Sequence, residues 1–228
     1  MREFDLLSDY PAPATPRYVS KNIRTIENRI NASYRGYSYY DGHRNDGYGG
    51  YSYDGRWIAF SERILETYHL SDNSSILHIG CEKGFLLNDL NEMNKNIELR
   101  GYEMSSYAIE QSMPSIKHLI DNGRYNILPY SDNEFDFVLA IGVVYTLCLA
   151  DAISCLKEIQ RVSKGNSFVT LGSFSNNEEE RLFRMWSVLG CTILHESDWK
   201  KVLTHAGYTG DYKFVGAKTL NLIELDRT

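Results

Sequence analysis

From residue 76 onward, short apolar runs and amphipathic stretches take turns along the chain. Ile76–Ile79 reads as a strand and Phe85–Met93 as a helix, and Ile97–Tyr102 and Ser106–Gln111 repeat the pair. A short strand follows near Tyr125–Leu128, then a strand at Phe135–Ile141, a helix at Ala152–Val162 and a strand at Ser167–Gly172. Apolar strands alternating with helices predict parallel strands joined by right-handed crossovers and covered on both faces. Glu178–Leu189 and Asp198–Ala206 read as helices. Tyr212–Val215 and Thr219–Leu225 read as two strands around a tight turn at Gly216, which predicts a terminal antiparallel pair. The fold class is α/β, with helices layered on a mostly parallel sheet.

The first third of the chain has another character. Pro11, Pro13 and Pro16 break an extended leader, and Val19, Ile23, Ile26 and Ile30 recur at helical spacing, predicting a helix over Tyr18–Tyr34. Tyr34–Gly55 is rich in tyrosine and glycine. Another helix is expected over Trp57–His69, turning Ile58, Ile64, Leu65 and Tyr68 to a core, and Ser71–Ser75 is a polar break. The organisation expected is a segment of N-terminal helices and a lid over residues 1–70, then the main domain over residues 71–228.

Composition narrows the function. With 228 residues and 43% hydrophobic content the chain can bury a full core. No apolar run approaches the length of a membrane span, and the first ten residues carry acids rather than a signal-peptide layout, so a cytoplasmic protein is expected. The net charge of −6, without a lysine or arginine block, argues against the broad basic footprint of a duplex-binding protein. It leaves room for a local basic pocket. Cys81, Cys148, Cys155 and Cys191 form no C-x-x-C pair, as expected of free thiols. The six histidines lack zinc-site spacing. The fourth strand runs into Ala140-Ile141-Gly142-Val143 without the carboxylates that a magnesium site needs, so no metal is expected.

The chemistry concentrates where the first apolar strand ends. Residues 76–84 read I-L-H-I-G-C-E-K-G, a strand entering a glycine turn that opens a helix. Such a turn gathers backbone N–H groups and a positive helix end at one point. About 20 residues on, where a ribose-binding acid is expected, the next strand ends in Glu103. A dinucleotide site requires G-x-G-x-x-G so that backbone can approach a pyrophosphate, but Glu82 holds the middle glycine position and would repel phosphate. S-adenosylmethionine carries no phosphate and has a cationic sulfonium and ammonium, so an acid is compatible with it. Glu103 can accept from both ribose hydroxyls. The competing structural account makes Gly80 and Gly84 a mere tight turn and Glu103 a solvated strand end.

The segment N-I-L-P-Y-S-D-N-E-F-D-F-V-L-A-I-G, Asn126–Gly142, decides between them. Together with the glycine turn and Glu103 it resembles class I S-adenosylmethionine-dependent methyltransferases over Ile76–Ser173. The resemblance implies a Rossmann-like fold, a seven-stranded sheet with one reversed terminal strand and a methyltransferase domain over residues 71–228. It places Gly80, Cys81 and Gly84 at the methionine end of the cofactor and Glu103 at the ribose. Met104 would pack on the adenine, Arg124 and Tyr125 at its edge, and Ile141 and Gly142 near the methyl. The chain departs from the family at His78, where an acid is usual, at Glu82, where glycine is usual, and at Arg124, where an acid is common. One reading has Glu82 supplying the lost carboxylate near the methionine amine. The other is weakened cofactor binding, or an inactive subunit partnered with an active homologue; a homo- or heterodimer is compatible with either.

Asp46–Trp57, D-G-Y-G-G-Y-S-Y-D-G-R-W, resembles an N-terminal segment of bacterial methyltransferases acting on small molecules and surface-glycan precursors. Ala206–Tyr212 agrees with that group. Glycines give a lid an adaptable backbone and tyrosines give it rigid contact area. Tyr51 and Arg56 are the lid's candidates for the cofactor, Arg56 through a fork onto a carboxylate or an acceptor phosphate. Tyr145 and His195 are the candidates for the catalytic base, with His43 and Tyr48 as further options if the lid closes. The acceptor expected is a small polar molecule, methylated on an oxygen of a sugar, nucleotide-linked sugar or phosphorylated metabolite. A nitrogen or carboxylate acceptor, needing no such base, is the alternative.

Overall fold

The computed structural model describes residues 1–11 and 15–225; Pro13 lies outside them. The chain begins with β1 (Arg2–Glu3), β2 (Arg17–Val19), α1 (Ile26–Ser33), α2 (Tyr37–Tyr40) and α3 (Ile58–Thr67). The alternating part runs β3 (Ser75–Ile79), α4 (Phe85–Met93), β4 (Glu98–Glu103), α5 (Ser106–Glu110), β5 (Ile120–Asn122) and β6 (Phe135–Ala140). It continues with α6 (Leu149–Val162), β7 (Ser163–Phe174), α7 (Asn177–Trp186), β8 (Leu194–His195), α8 (Glu196–Ala206), β9 (Asp211–Val215) and β10 (Leu222–Glu224).

Among the described residues the main sheet has eight strands, ordered β1-β9-β7-β6-β3-β4-β5 with β8 on the end of β7. From β3 the chain builds outward through β4 and β5, then returns to the other side of β3 with β6. Open α/β sheets bind ligands beyond the carboxyl ends of the strands where the order reverses. Here that point lies between the ends of β3 and β6. Side-chain alternation divides the core into two layers. Leu77, Ile79, Val138, Ala140, Val169 and Leu171 face Leu156 and Ile159 of α6 and Trp199 and Leu203 of α8. Ile76, Phe137, Leu139 and Phe168 face Phe60 and Ile64 of α3 and Leu86, Leu87 and Leu90 of α4. Three-layer α/β architecture follows, as the alternation predicts.

Three local expectations are corrected. The terminal strands are not an antiparallel pair: β9 lies parallel between β7 and β1, and β10 leaves the sheet to pair parallel with β2. The loop after Gly216 carries the chain away instead of reversing it, with the Leu222 N–H bonding the Ala217 carbonyl. The third strand is Ile120–Asn122 rather than Tyr125–Leu128. Gly101 and Glu103 of β4 pair with Ile120 and Asn122, while the Leu128 N–H is held by the Glu158 carboxylate. The helix expected from Tyr18 starts only at Ile26, because Arg17–Val19 is taken by β10. Ile26 and Ile30 are exposed, and α1 instead meets the molecule through polar groups, Asn28 on Asp46 and Arg29 on the carbonyls of Arg184 and Ser187.

The residues before β3 are tied into the rest. β1 closes the sheet edge, with Arg2 forked on Asp211 of β9, and Leu6 is buried in the layer beneath α3 and α4. No helix among the described residues is long and apolar enough to cross a membrane.

Candidate active site

The loop after β3 is shaped by residues in left-handed backbone conformations. Gly80 has φ +71°, and a Cβ there would meet Val143 Cγ2 at 2.3 Å, so no side chain fits. Gly84 opens α4 with φ +74°, and a Cβ would meet Ile116 Cδ1 at 2.2 Å. Between them Glu82 turns its N–H onto Glu103 Oε2 at 2.9 Å. Glu103 Oε1 accepts from the Ser105 N–H at 2.7 Å and the Tyr125 hydroxyl at 2.9 Å. Glu103 is fully buried, so its carboxylate joins the loops after β3, β4 and β5 into one unit. A ribose diol reaching it would have to replace one of these donors.

A cavity of about 350 Å³ opens beyond the ends of β3 and β6. The sheet side of its wall carries Gly80, Glu82, Tyr125, Ile141, Gly142 and Tyr145, and the N-terminal side carries Tyr39, Tyr48, Tyr51 and Arg56. Phe183 and Trp186 of α7 close a third side. At Gly142, φ +71°, the space a Cβ would take is open. Tyr48 donates its hydroxyl to Glu82 Oε1 at 2.7 Å. Burial pushes the Glu82 carboxyl up to about 7, with Glu103 adding to the shift.

The tyrosine-rich segment lies across this site as a ring cluster. Tyr48 stacks on Tyr51 at 4.3 Å, and Tyr40, fully buried, stacks on Tyr48 and Tyr107 at 6.0 Å each. A buried latch fixes it: Lys83 Nζ lies 2.7 Å from both Asp41 oxygens and from the Tyr51 carbonyl. Tyr107 also donates to Asp41, at 2.7 Å. Arg35 reaches Thr146 Oγ1 at 2.8 Å, and its carbonyl accepts from the Ser105 hydroxyl.

The structure therefore gathers Tyr51, Arg56, Gly80, Glu82, Tyr125, Ile141, Gly142 and Tyr145 around one cavity, with Glu103 behind Tyr125. Other expected site residues lie elsewhere. His195 caps α8, its Nδ1 accepting the Ser197 N–H at 3.2 Å with its ring edge-on to Phe174, and it does not line the cavity. His78 is buried in mid-strand with Nδ1 unpaired, and burial pulls it down to about 3, so it is neutral. Cys81 packs inward, its Sγ 2.7 Å from where a Gly101 Cβ would stand. Met104 and Arg124 are exposed just beyond β4 and β5, and Gly84 lies under Ile116. Tyr145 lines the cavity against Gly172 and Phe183, with burial pushing its hydroxyl up to about 12. Sequence reading missed Arg17, Arg24, Arg35, Arg44 and Trp186, all on the cavity wall. The helical spacing of Ile26 and Ile30 belongs to exposed residues, while Arg24 just before them points into the cavity.

The arrangement suits a cationic, phosphate-free ligand at the sheet end. Glu82 faces the cavity with hydroxyl partners and no ion pair among the described residues, and Gly142 leaves backbone bare beside it. The sequence profile of the methyltransferase-domain family matches residues 70–207. This chain belongs to that family. It is a class I S-adenosylmethionine-dependent methyltransferase. Solved structures agree on the fold. The chain is 16% identical to YcgJ of Bacillus subtilis, with 64% of this chain covering 66% of that one at a TM-score of 0.53. Against an S-adenosylmethionine-dependent methyltransferase of Methanosarcina mazei the values are 16%, 63%, 82% and 0.50. Against a chain in the complex of the Haloferax volcanii Trm112 methyltransferase activator with a methyltransferase they are 17%, 66%, 72% and 0.51. No curated protein matches the methyltransferase.

Proposed function

We propose that this methyltransferase acts on an oxygen of a small polar acceptor, a sugar, nucleotide-linked sugar or phosphorylated metabolite. One observation carries the reading: a single cavity runs from the Glu82–Gly142 end of the sheet to a polar wall of tyrosines and arginines. When bound, S-adenosylmethionine supplies a methyl group already activated on a sulfonium. Glu82 would hold the cofactor's ammonium, with Gly80 backbone and Tyr51 beside it. Tyr125, backed by Glu103, would take the ribose side, and Met104 and Arg124 the adenine. Ile141 and Gly142 would flank the methyl. Arg56, forked on Asp54 at the cavity mouth, would guide an anionic group inward.

The protein's main contribution is then alignment and exclusion of water by the latched tyrosine segment. Tyr145, its hydroxyl pushed up to about 12 by burial, would orient the acceptor, whose hydroxyl proton would pass to solvent at the cavity mouth as the O–CH3 bond forms and the S–CH3 bond breaks. His195, on the α8 cap and off the cavity wall, is not used as a base in this reading. That same finding favours a second reading, a carboxylate or amine acceptor, which requires no base on this wall. Calorimetric titration with S-adenosylmethionine, followed by methyl-transfer assays on matched hydroxyl, carboxylate and amine acceptors, separates them. O-methylated product from hydroxyl acceptors is expected. Product only from amines overturns the oxygen assignment, and cofactor binding without turnover on any acceptor favours a non-catalytic partner subunit.

A further inference from the structure

Beyond Tyr48 the cavity wall becomes strongly basic. The guanidinium carbons of Arg24, Arg44 and Arg17 lie 4.0, 5.3 and 5.5 Å from the centre of the Trp186 ring. All three line the cavity, and among the described residues none forms an ion pair with a carboxylate. By contrast Arg161 on the outer surface holds both Glu158 and Asp132. Arg24 spends its donors on the carbonyls of Trp186, Arg44 and Gly47, and Arg44 on those of Gly47 and Tyr48. Those bonds fix the geometry without cancelling the charge. The Arg17 guanidinium has no hydrogen bond to a described residue and is the freest of the three.

Like charges gathered about one ring repel each other unless an anion joins them. Burial, then the charge of Arg44, pulls the Arg24 guanidinium down to about 10, which still leaves it charged at neutral pH. Indole accounts for part of the attraction, since the negative face of the ring attracts a cation above it. It supplies no counter-charge. The cofactor does not supply one either: with one carboxylate, one ammonium and one sulfonium it is a net cation, and its acidic partner Glu82 lies on the other side of Tyr48. Tyr48 divides the two ends, bonding Glu82 through its hydroxyl and Arg44 through its carbonyl.

We propose that Arg17, Arg24 and Arg44, framed by Trp186, form a subsite for a phosphate group of the methyl acceptor, a phosphomonoester or a diphosphate. Guanidinium forks match the paired oxygens of phosphate, and three of them suit a ligand with at least two negative charges. The acceptor is thereby held by its phosphate at the α7 end while its nucleophilic oxygen reaches toward Gly142. This rests on the reading that the cavity takes the acceptor, but the anion site is testable without turnover.

The test is binding of inorganic phosphate and of pyrophosphate to the full chain, followed by calorimetry and by intrinsic tryptophan fluorescence, with Trp186→Phe identifying the signal of that ring. Arg17→Ala and Arg44→Ala are the main variants, since both side chains reach solvent and their loss leaves the core intact; circular dichroism checks folding. Pyrophosphate is expected to bind more tightly than phosphate, to weaken as salt rises, and to lose about tenfold or more in affinity in each variant. S-adenosylmethionine affinity is expected to be unchanged in both. Absence of pyrophosphate binding to the parent protein, or equal binding in parent and variants, overturns the subsite. An equal loss of cofactor affinity reassigns the arginines to the cofactor and overturns it too. Pyrophosphate binding intact alongside no turnover of phosphorylated acceptors sinks the proposed reaction while the anion site stands.

Discussion

The two sides of the cavity are built in different ways. The sheet side stands on parallel strands buried on both faces, and its loops are locked by Glu103 with three donors and by glycines at positive φ where a Cβ would press on Val143 or Ile116. On the N-terminal side the tyrosine-rich segment, residues 34–57, has one helix of four residues, and the rest is turns held by ring contacts, arginine–carbonyl bonds and the Lys83–Asp41 latch. Such a difference in packing means that the two sides open at different free energies. On the proposed reading, the cofactor sits on the stiff side and the acceptor is chosen on the adaptable one.

The sharpest way to break that contrast is in the sheet. Phe137 is fully buried and stacks on Tyr68 at 4.2 Å. Phe137→Ala is expected to cost about 3–5 kcal/mol of global stability, read from denaturant midpoints. Lys83→Met leaves Asp41 without its cation. The expected loss is about 3 kcal/mol, but confined to residues 37–51 and visible as faster amide exchange there. Equal acceleration in β3 would show that the two sides are one cooperative unit. Glu103→Ala strands the N–H groups of Glu82 and Ser105, and cofactor affinity is expected to fall by about 1.5–3 kcal/mol by calorimetry.

Glu82 gives a pH signature. Its carboxyl sits at about 7 in the fold against an ordinary 4.5, so the protonated form favours folding. That contribution is complete below about 4.5 and lost as pH rises through 7. Glu82→Gln is expected to be more stable than the parent at pH 8, on the order of 2 kcal/mol, and equal to it at pH 4. Cofactor affinity in the parent is expected to strengthen as pH rises past 7, and a flat profile removes Glu82 from the ammonium. The smallest effect belongs to Arg56, exposed and forked on Asp54. Arg56→Ala is expected to change stability by less than about 1 kcal/mol while raising KM for cofactor or acceptor. An unchanged KM takes Arg56 out of the site.

Legibility followed the same divide. Gly80, Glu82, Ile141, Gly142 and Tyr145 could be read because each sits at or just past the end of an apolar strand or in its loop, and parallel sheets bring such ends together; Tyr125 came only through the family resemblance, since the strand expected to contain it lies at Ile120–Asn122. The arginine cluster could not. Arg17 is aimed by the pairing of β2 with β10, more than about 200 residues away in the chain, and Trp186 is brought up by α7. His195 looked available because it precedes a helix, and that position is what consumed its Nδ1.

Local order along the chain was enough to specify the strand–helix alternation, the glycine turn, the parallel core and the site at its reversal point. Those follow from periodicity and backbone sterics, which act within a few residues. Tertiary structure alone decided the direction of β9, the escape of β10 to β2, the closing of the edge by β1 and the meeting of arginines over Trp186. Each depends on segments far apart in sequence, whose pairing gains free energy only once the intervening core has folded between them.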